Sequence, residues 1–263
     1  MRALWFAVGL AVPVAVVAFL LGTRSPDPQG AHVDGFTLTS RLVGRDLHEI
    51  AIRPAGAGPG RPLLVLLHGR GSSPSAFLGQ GLFGALKALG PRAPEVLLAD
   101  GDDASYWHDR REGAWGSSLV REAIPAAVAR LPADRRRVAI GGESMGGFGA
   151  LDLARLHPRR FCAVGGHSAA LWRTGGETPG GAFDDAADFA RHDVMGSPFR
   201  YRGPLWIDVG ADDPFRSADE SFARAHGAIL HVWPGGHEGS YWRAHMLEYL
   251  RFYARALARC GRG

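Results

Sequence analysis

The residues best suited to chemistry lie in short glycine-rich segments, each following an apolar run. The first is Gly142-Glu143-Ser144-Met145-Gly146, a G-x-S-x-G pattern between an apolar run (138–140) and a small-residue helix start (146–150). That order predicts a tight strand-to-helix turn lifting the Ser144 hydroxyl above a sheet, with glycines on both sides relieving the crowding. A serine becomes a useful nucleophile only when a base takes its proton and a third group orients the base. His237, in Gly235-Gly236-His237-Glu238 after the apolar run 229–233, is the expected base. The acid is expected in Gly210-Ala211-Asp212-Asp213-Pro214 after the run 205–209. Only one of the adjacent Asp212 and Asp213 can face the histidine; Asp213 is the first candidate, and Asp208 is a third whose mid-strand position sets it below the rim. The order serine, acid, histidine is the one such a turn uses.

An acyl-transfer site also needs donors for a developing oxyanion. His68-Gly69-Arg70-Gly71 follows the apolar run 62–67, so the backbone N–H groups of Arg70 and Met145 are the expected oxyanion hole. His68 is expected to brace that loop, and His167 follows another strand but falls out of the chain order. No Gly-Lys-Ser/Thr follows the Ser144 turn, which sets a phosphate loop aside, and no CxxC, HExxH or EF-hand pattern supports a metal site. No cofactor is expected.

These loops need a scaffold. An antiparallel opening (36–53) is followed by apolar strand-like runs at 62–67, 95–99, 137–140, 161–165, 205–209 and 229–233. Helical patterns at 75–89, 117–130, 146–156, 217–226 and 241–257 alternate with them. The alternation predicts a mostly parallel sheet with helices on both faces and a site at the carboxyl ends of its strands. Residues 172–203 read as an irregular, glycine-rich cover over the pocket, with the acidic pair Asp184-Asp185, few core contacts and an influence on acyl choice. Tyr106, Trp107, Trp115, Trp172, Tyr241 and Trp242 are candidate aromatic lining.

Composition fits one folded domain. The chain has 263 residues, 46% hydrophobic and 21% charged, with 30 Lys+Arg against 26 Asp+Glu for a net +4. No basic cluster dense enough to follow a phosphate backbone stands out along the chain, so nucleic-acid binding is not expected. Residues 3–21 carry no charge and suffice to cross a bilayer. A signal peptide or membrane anchor (1–24) and a linker (25–34) are therefore expected before a catalytic domain (35–263), which would lie outside the cytoplasm, anchored by a single span or secreted. The uncleaved anchor is preferred, since no Ala-x-Ala follows Leu21. Cys162 reads as a small core residue; Cys260 is the only possible disulfide partner, but their spacing implies no framework.

Together the HGRGS, GESMGG, GADDP and GGHEGSYW segments resemble the esterase D branch of the α/β-hydrolase superfamily, which includes S-formylglutathione hydrolases, feruloyl and acetylxylan esterases, and mycolyltransferases. The resemblance covers about residues 35–257. It implies an α/β-hydrolase fold, Ser144 as nucleophile, His237 as base, Asp213 as acid and oxyanion donors at Arg70 and Met145. The activity it implies is hydrolysis of small-molecule or polysaccharide-linked carboxylic esters through an acyl-enzyme. Acyl transfer with the same triad is the alternative, and an inactive binding module on the same fold a remoter one. The apolar N-terminal run departs from the cytosolic S-formylglutathione hydrolases, and the acid and loop pattern departs from the mycolyltransferases.

Overall fold

The computed structural model describes residues 26–79 and 81–261. The apolar N-terminal run (3–21) lies outside the described residues; among those described, no helix is long and apolar enough to cross a membrane.

The apolar runs of the central strands are buried on both faces, as a sheet sandwiched between helices requires, while the last run, 229–233, forms an edge strand whose Ile229 and Val232 stay exposed. β1 (His32–Ser40) and β2 (Arg45–Arg53) form the antiparallel opening, and β1 begins inside the expected linker. β3 (Pro62–Leu67) and β4 (Glu95–Ala99) match their expected bounds. Between them, the expected helix at 75–89 resolves into a 3₁₀ turn (Pro74–Gly79) and α1 (Leu82–Leu89). A small hairpin, β5 (Asp109–Arg110) with β6 (Gly113–Ala114), leads into α2 (Trp115–Ser118), a π turn (Leu119–Ala123) and α3 (Ile124–Arg130). Pro125, which has no N–H to give the preceding turn, marks the join.

β7 (Asp134–Glu143), α4 (Met145–Leu156) and β8 (Val164–His167) surround Ser144. The region expected to be irregular holds a short helix, α5 (Ala186–Arg191), and a 3₁₀ turn (Gly175–Glu177). β9 (Leu205–Gly210), α6 (Arg216–His226), β10 (Ile229–Trp233) and α7 (Gly239–Arg259) complete the chain.

The eight-stranded sheet has the order β1-β2-β4-β3-β7-β8-β9-β10, parallel from β4 to β10. The chain runs from β3 to β4 on one side and returns to β7 on the other, so its direction of winding switches between β3 and β7. Such a switch opens a crevice at the carboxyl ends, where ligands bind in these sheets. Leu67 pairs with Gly142 across this point, bringing the loop after β3 against the turn after β7. One face of the sheet packs on α3, α4 and α6, the other on α1 and α7.

Cys162, expected in the core, is half-buried and forms a disulfide with Cys260. Its place just before β8 meets the end of α7, a tertiary contact that residue spacing does not encode.

Candidate active site

Ser144 has φ +53°, a left-handed backbone that a non-glycine residue adopts only under constraint. The constraint is the closeness of β7, α4 and β3. A side chain at Gly142 would run into the backbone of Gly146 and Leu67, and one at Gly146 into the Leu67 carbonyl. The glycines of the motif are therefore required by close backbone approach.

His237 Nε2 lies 2.8 Å from Ser144 Oγ, and its Nδ1 lies 2.8 Å from Asp213 Oδ2. The structure thus brings together Ser144, His237 and, of the three candidate acids, Asp213. The His237 side chain is 24% exposed while that of Asp213 is fully buried. Burial works against the Asp213 charge, but hydrogen bonds from His237 and from the Phe215 N–H (2.8 Å) outweigh it and hold the carboxyl below its ordinary range. The carboxylate is thus ionised where it can fix the imidazole tautomer and stabilise an imidazolium. Asp212 is exposed and does not reach His237.

The oxyanion loop is close at hand. The position a Gly69 Cβ would occupy lies 3.4 Å from Ser144 Cβ. Among the described residues, neither the Arg70 nor the Met145 N–H donates to a protein acceptor. His68 is neutral and structural: burial lowers its pKa, Nε2 accepts from the Gly101 N–H at 3.1 Å, and Nδ1 lies 2.9 Å from the Gly69 carbonyl.

His167 is fully buried, away from the pocket. Its Nδ1 meets Asp208 at 2.6 Å and its Nε2 meets the Tyr253 hydroxyl at 2.9 Å. Asp208 also accepts from Trp206 Nε1 (2.7 Å), Tyr241 (3.0 Å) and Tyr249 (2.8 Å). This network ties α7, which follows His237 directly, to β8 and β9.

Of the candidate aromatic lining, Trp242 flanks His237 with ring centroids 5.3 Å apart. Phe215, which the sequence did not single out, flanks it on another side at 5.2 Å. Tyr241 serves the Asp208 network, and Trp107 and Trp115 are buried. The cover is more firmly packed than its glycines suggested. Ala182 is buried, Phe183 packs on Tyr106, Phe148 and Trp172, and Asp184 lies 3.4 Å from Arg110. Below it, the buried contact of His108 with Asp188 (3.1 Å) joins α5 to the segment before β5, and that of His192 with Asp152 (2.7 Å) joins the end of α5 to α4. The Arg70 side chain reaches the Gly180 carbonyl at 3.4 Å, so the cover borders the oxyanion loop.

Residues 62–253 match a protein-family model described as a putative esterase. The S-formylglutathione hydrolase of Paracoccus denitrificans is 30% identical over 181 residues, covering 60% of this chain and 64% of that protein. The iron(III) salmochelin esterase of Escherichia coli is 29% identical over 157 residues, covering 54% and 38%. The matched region is thus less than two thirds of either relative's length. Among solved structures, a ferulic acid esterase superposes with TM-score 0.74 at 20% identity, covering 86% of this chain and 98% of that one. An S-formylglutathione hydrolase from Agrobacterium tumefaciens gives 0.71 at 20%, covering 87% and 96%. These neighbours share the fold, and the family match spans most of the chain: the protein belongs to the esterase family and has the α/β-hydrolase fold.

Proposed function

We propose that the protein is a serine esterase that cleaves carboxylic esters by way of an acyl-enzyme. The observation that carries this reading is the unbroken Asp213–His237–Ser144 chain of hydrogen bonds, ending on a serine with a strained backbone. In this mechanism His237 Nε2 takes the Ser144 proton as Oγ attacks the ester carbonyl. The oxyanion forms against the N–H groups of Arg70 and Met145, which need no reorganisation to receive it. Collapse breaks the ester C–O bond, and His237 returns the proton to the departing alcohol. Water then attacks the acyl-serine by the same route, releasing the acid and restoring Ser144.

The substrates on this reading are small esters or esters borne on a larger carbohydrate, since the half-exposed His237 leaves room for a leaving group that extends into solvent. The protein works outside the cytoplasm, held to a membrane by residues 3–21. The Cys162–Cys260 disulfide supports that placement, because such bonds persist in oxidising compartments. The test is a series of chromogenic esters together with a fluorophosphonate probe. Hydrolysis is expected, with one covalent adduct on Ser144 that Ser144→Ala abolishes. Hydrolysis or labelling surviving that substitution would overturn the assignment.

A further inference from the structure

The strands divide the molecule's charge between two ends. β7 runs from Arg135 and Arg136 near its start to Glu143 beside Ser144. At about 3.3 Å per residue, those ends lie about 25 Å apart. At the catalytic end Arg45 pairs with Asp102, Arg110 and Arg111 with Asp184, and Arg216 with Glu220, while Arg70 and Arg173 donate to the Gly180 and Ser217 carbonyls.

At the amino end Arg53, Arg130, Arg137 and Arg155 are paired with Glu95, Asp34, Asp134 and Asp152, and a further set of arginines stands beside them. Arg159, Arg160, Arg200 and Arg202, which precede β8 and β9, rim a recess of about 590 Å³. Arg92, Arg251, Arg255 and Arg259, after α1 and late in α7, rim a second of about 350 Å³. The disulfide joins the two, since Cys162 follows Arg160 closely, Cys260 follows Arg259, and the Arg136 carbonyl lies 3.7 Å from Cys162 Sγ. Of the arginines rimming the two recesses only Arg251 has a carboxylate partner among the described residues, Glu248. Arg92, Arg159, Arg200, Arg202, Arg255 and Arg259 are all exposed.

The described chain also begins at this end. β1 is antiparallel to β2, which is antiparallel to β4, so β1 runs with the catalytic strands and its first residue, His32, lies at their amino ends. The first described strand therefore starts on the arginine side, and the uncharged run 3–21 precedes it in the sequence.

We infer that this arginine face is a docking surface for an anionic phospholipid bilayer, holding the Ser144 rim away from the membrane. The inference rests on the membrane-bound reading for its choice of occupant and on the charges of the described residues for the surface itself. Guanidinium groups without carboxylate partners can form bidentate contacts with lipid phosphates. Each such residue near an anionic surface is worth about a fivefold gain in partitioning, and salt removes that gain.

The test uses the full chain and two triple variants, R159E/R200E/R202E and R92E/R255E/R259E. Flotation with phosphatidylcholine vesicles in high salt reads the apolar segment alone, and failure there counts against the tether. The rate on a soluble chromogenic ester reads the esterase assignment, and the variants should keep it. The face is read by adding phosphatidylglycerol at low salt. On those vesicles, amide hydrogen exchange at 159–162, 200–203 and 255–261 should slow on the order of tenfold or more. Each variant should lose most of that protection, as should the wild type in high salt. Equal exchange on both vesicle types, or protection that survives charge reversal, would overturn the inference. So would displacement from the vesicles by duplex DNA at matched phosphate concentration, which would assign the face to nucleic acid.

Discussion

The two strands that flank β9 each place a histidine against an aspartate, and the two pairs have different uses. His167 ends β8 and meets Asp208 on β9; His237 follows β10 and meets Asp213 after β9. Both imidazoles hold a carboxylate at Nδ1. They differ at the other nitrogen, which meets the buried Tyr253 hydroxyl in one and the half-exposed, strained Ser144 in the other. The carboxylates differ too: Asp208 takes donors from His167, Trp206, Tyr241 and Tyr249, which locks it among groups that do not move with the reaction. A His–Asp pair becomes a catalytic base through what its remaining nitrogen faces and whether substrate can reach it.

The comparison breaks most sharply at Ser144 and His237. Ser144→Ala and His237→Ala should each lower kcat about 10⁶-fold, with residual rate over water from the oxyanion donors, measured by steady-state hydrolysis at high enzyme concentration. Asp213→Asn should lower it about 10⁴-fold by supporting the wrong imidazole tautomer. Because the folded pKa of Asp213 is depressed, its stabilising contribution is present above the unfolded value of about 3.9 and is lost as pH falls through the folded value. Acid unfolding monitored by circular dichroism should therefore begin at higher pH in Asp213→Asn than in the parent.

The second pair should fail differently. Asp208→Ala strands four buried donors and should cost about 3–5 kcal/mol in urea unfolding, while the folded fraction keeps kcat within about tenfold. A 10⁴-fold loss of kcat at full folding would mean that the two pairs share the catalytic work.

The smallest effect belongs to Asp219, a buried carboxyl that feels both Asp213 and Asp208. Burial first, then those two charges, push its pKa well above the ordinary value. A raised folded pKa means stability present at low pH and lost as pH rises through that value. Asp219→Asn, which has no carboxyl proton to lose, should keep kcat within a few-fold and flatten the fall in stability as pH rises above the unfolded value of about 3.9. Asp212→Asn should be as mild in activity, since Asp212 is exposed and away from His237.

Much of this was legible in the sequence because the candidate catalytic residues sit directly after apolar strand runs, where glycines mark sharp turns. Gly142, Gly146, Gly235 and Gly236 signalled Ser144 and His237 locally, and chain order supplied the acid. The bounds of β3 followed from a continuous apolar run, and those of β4 and β10 from largely apolar runs that include Glu95 and His231. What the sequence hid depends on contacts between distant segments: the Cys162–Cys260 bridge, Phe215 against His237, and the cover fixed by Phe183 and Asp184. The glycines of the cover suggested looseness, but its few side chains are those that bind it to the core. The arginines are scattered along the chain, and only the strand directions gather them at one end.

The disulfide also bears on the order in which the molecule comes apart. α7 begins just after His237 and ends against Cys260, and a helix ordinarily frays from its ends. Closing a loop of 98 residues restrains the unfolded chain by about 4–5 kcal/mol and pins the far end of α7. The easier end to open is then the one beside the imidazole. Heating the oxidised protein should extinguish turnover before the helical signal fades. A thiol reductant should bring the two losses together, making catalytic lifetime a readout of the redox state at the other end of the molecule.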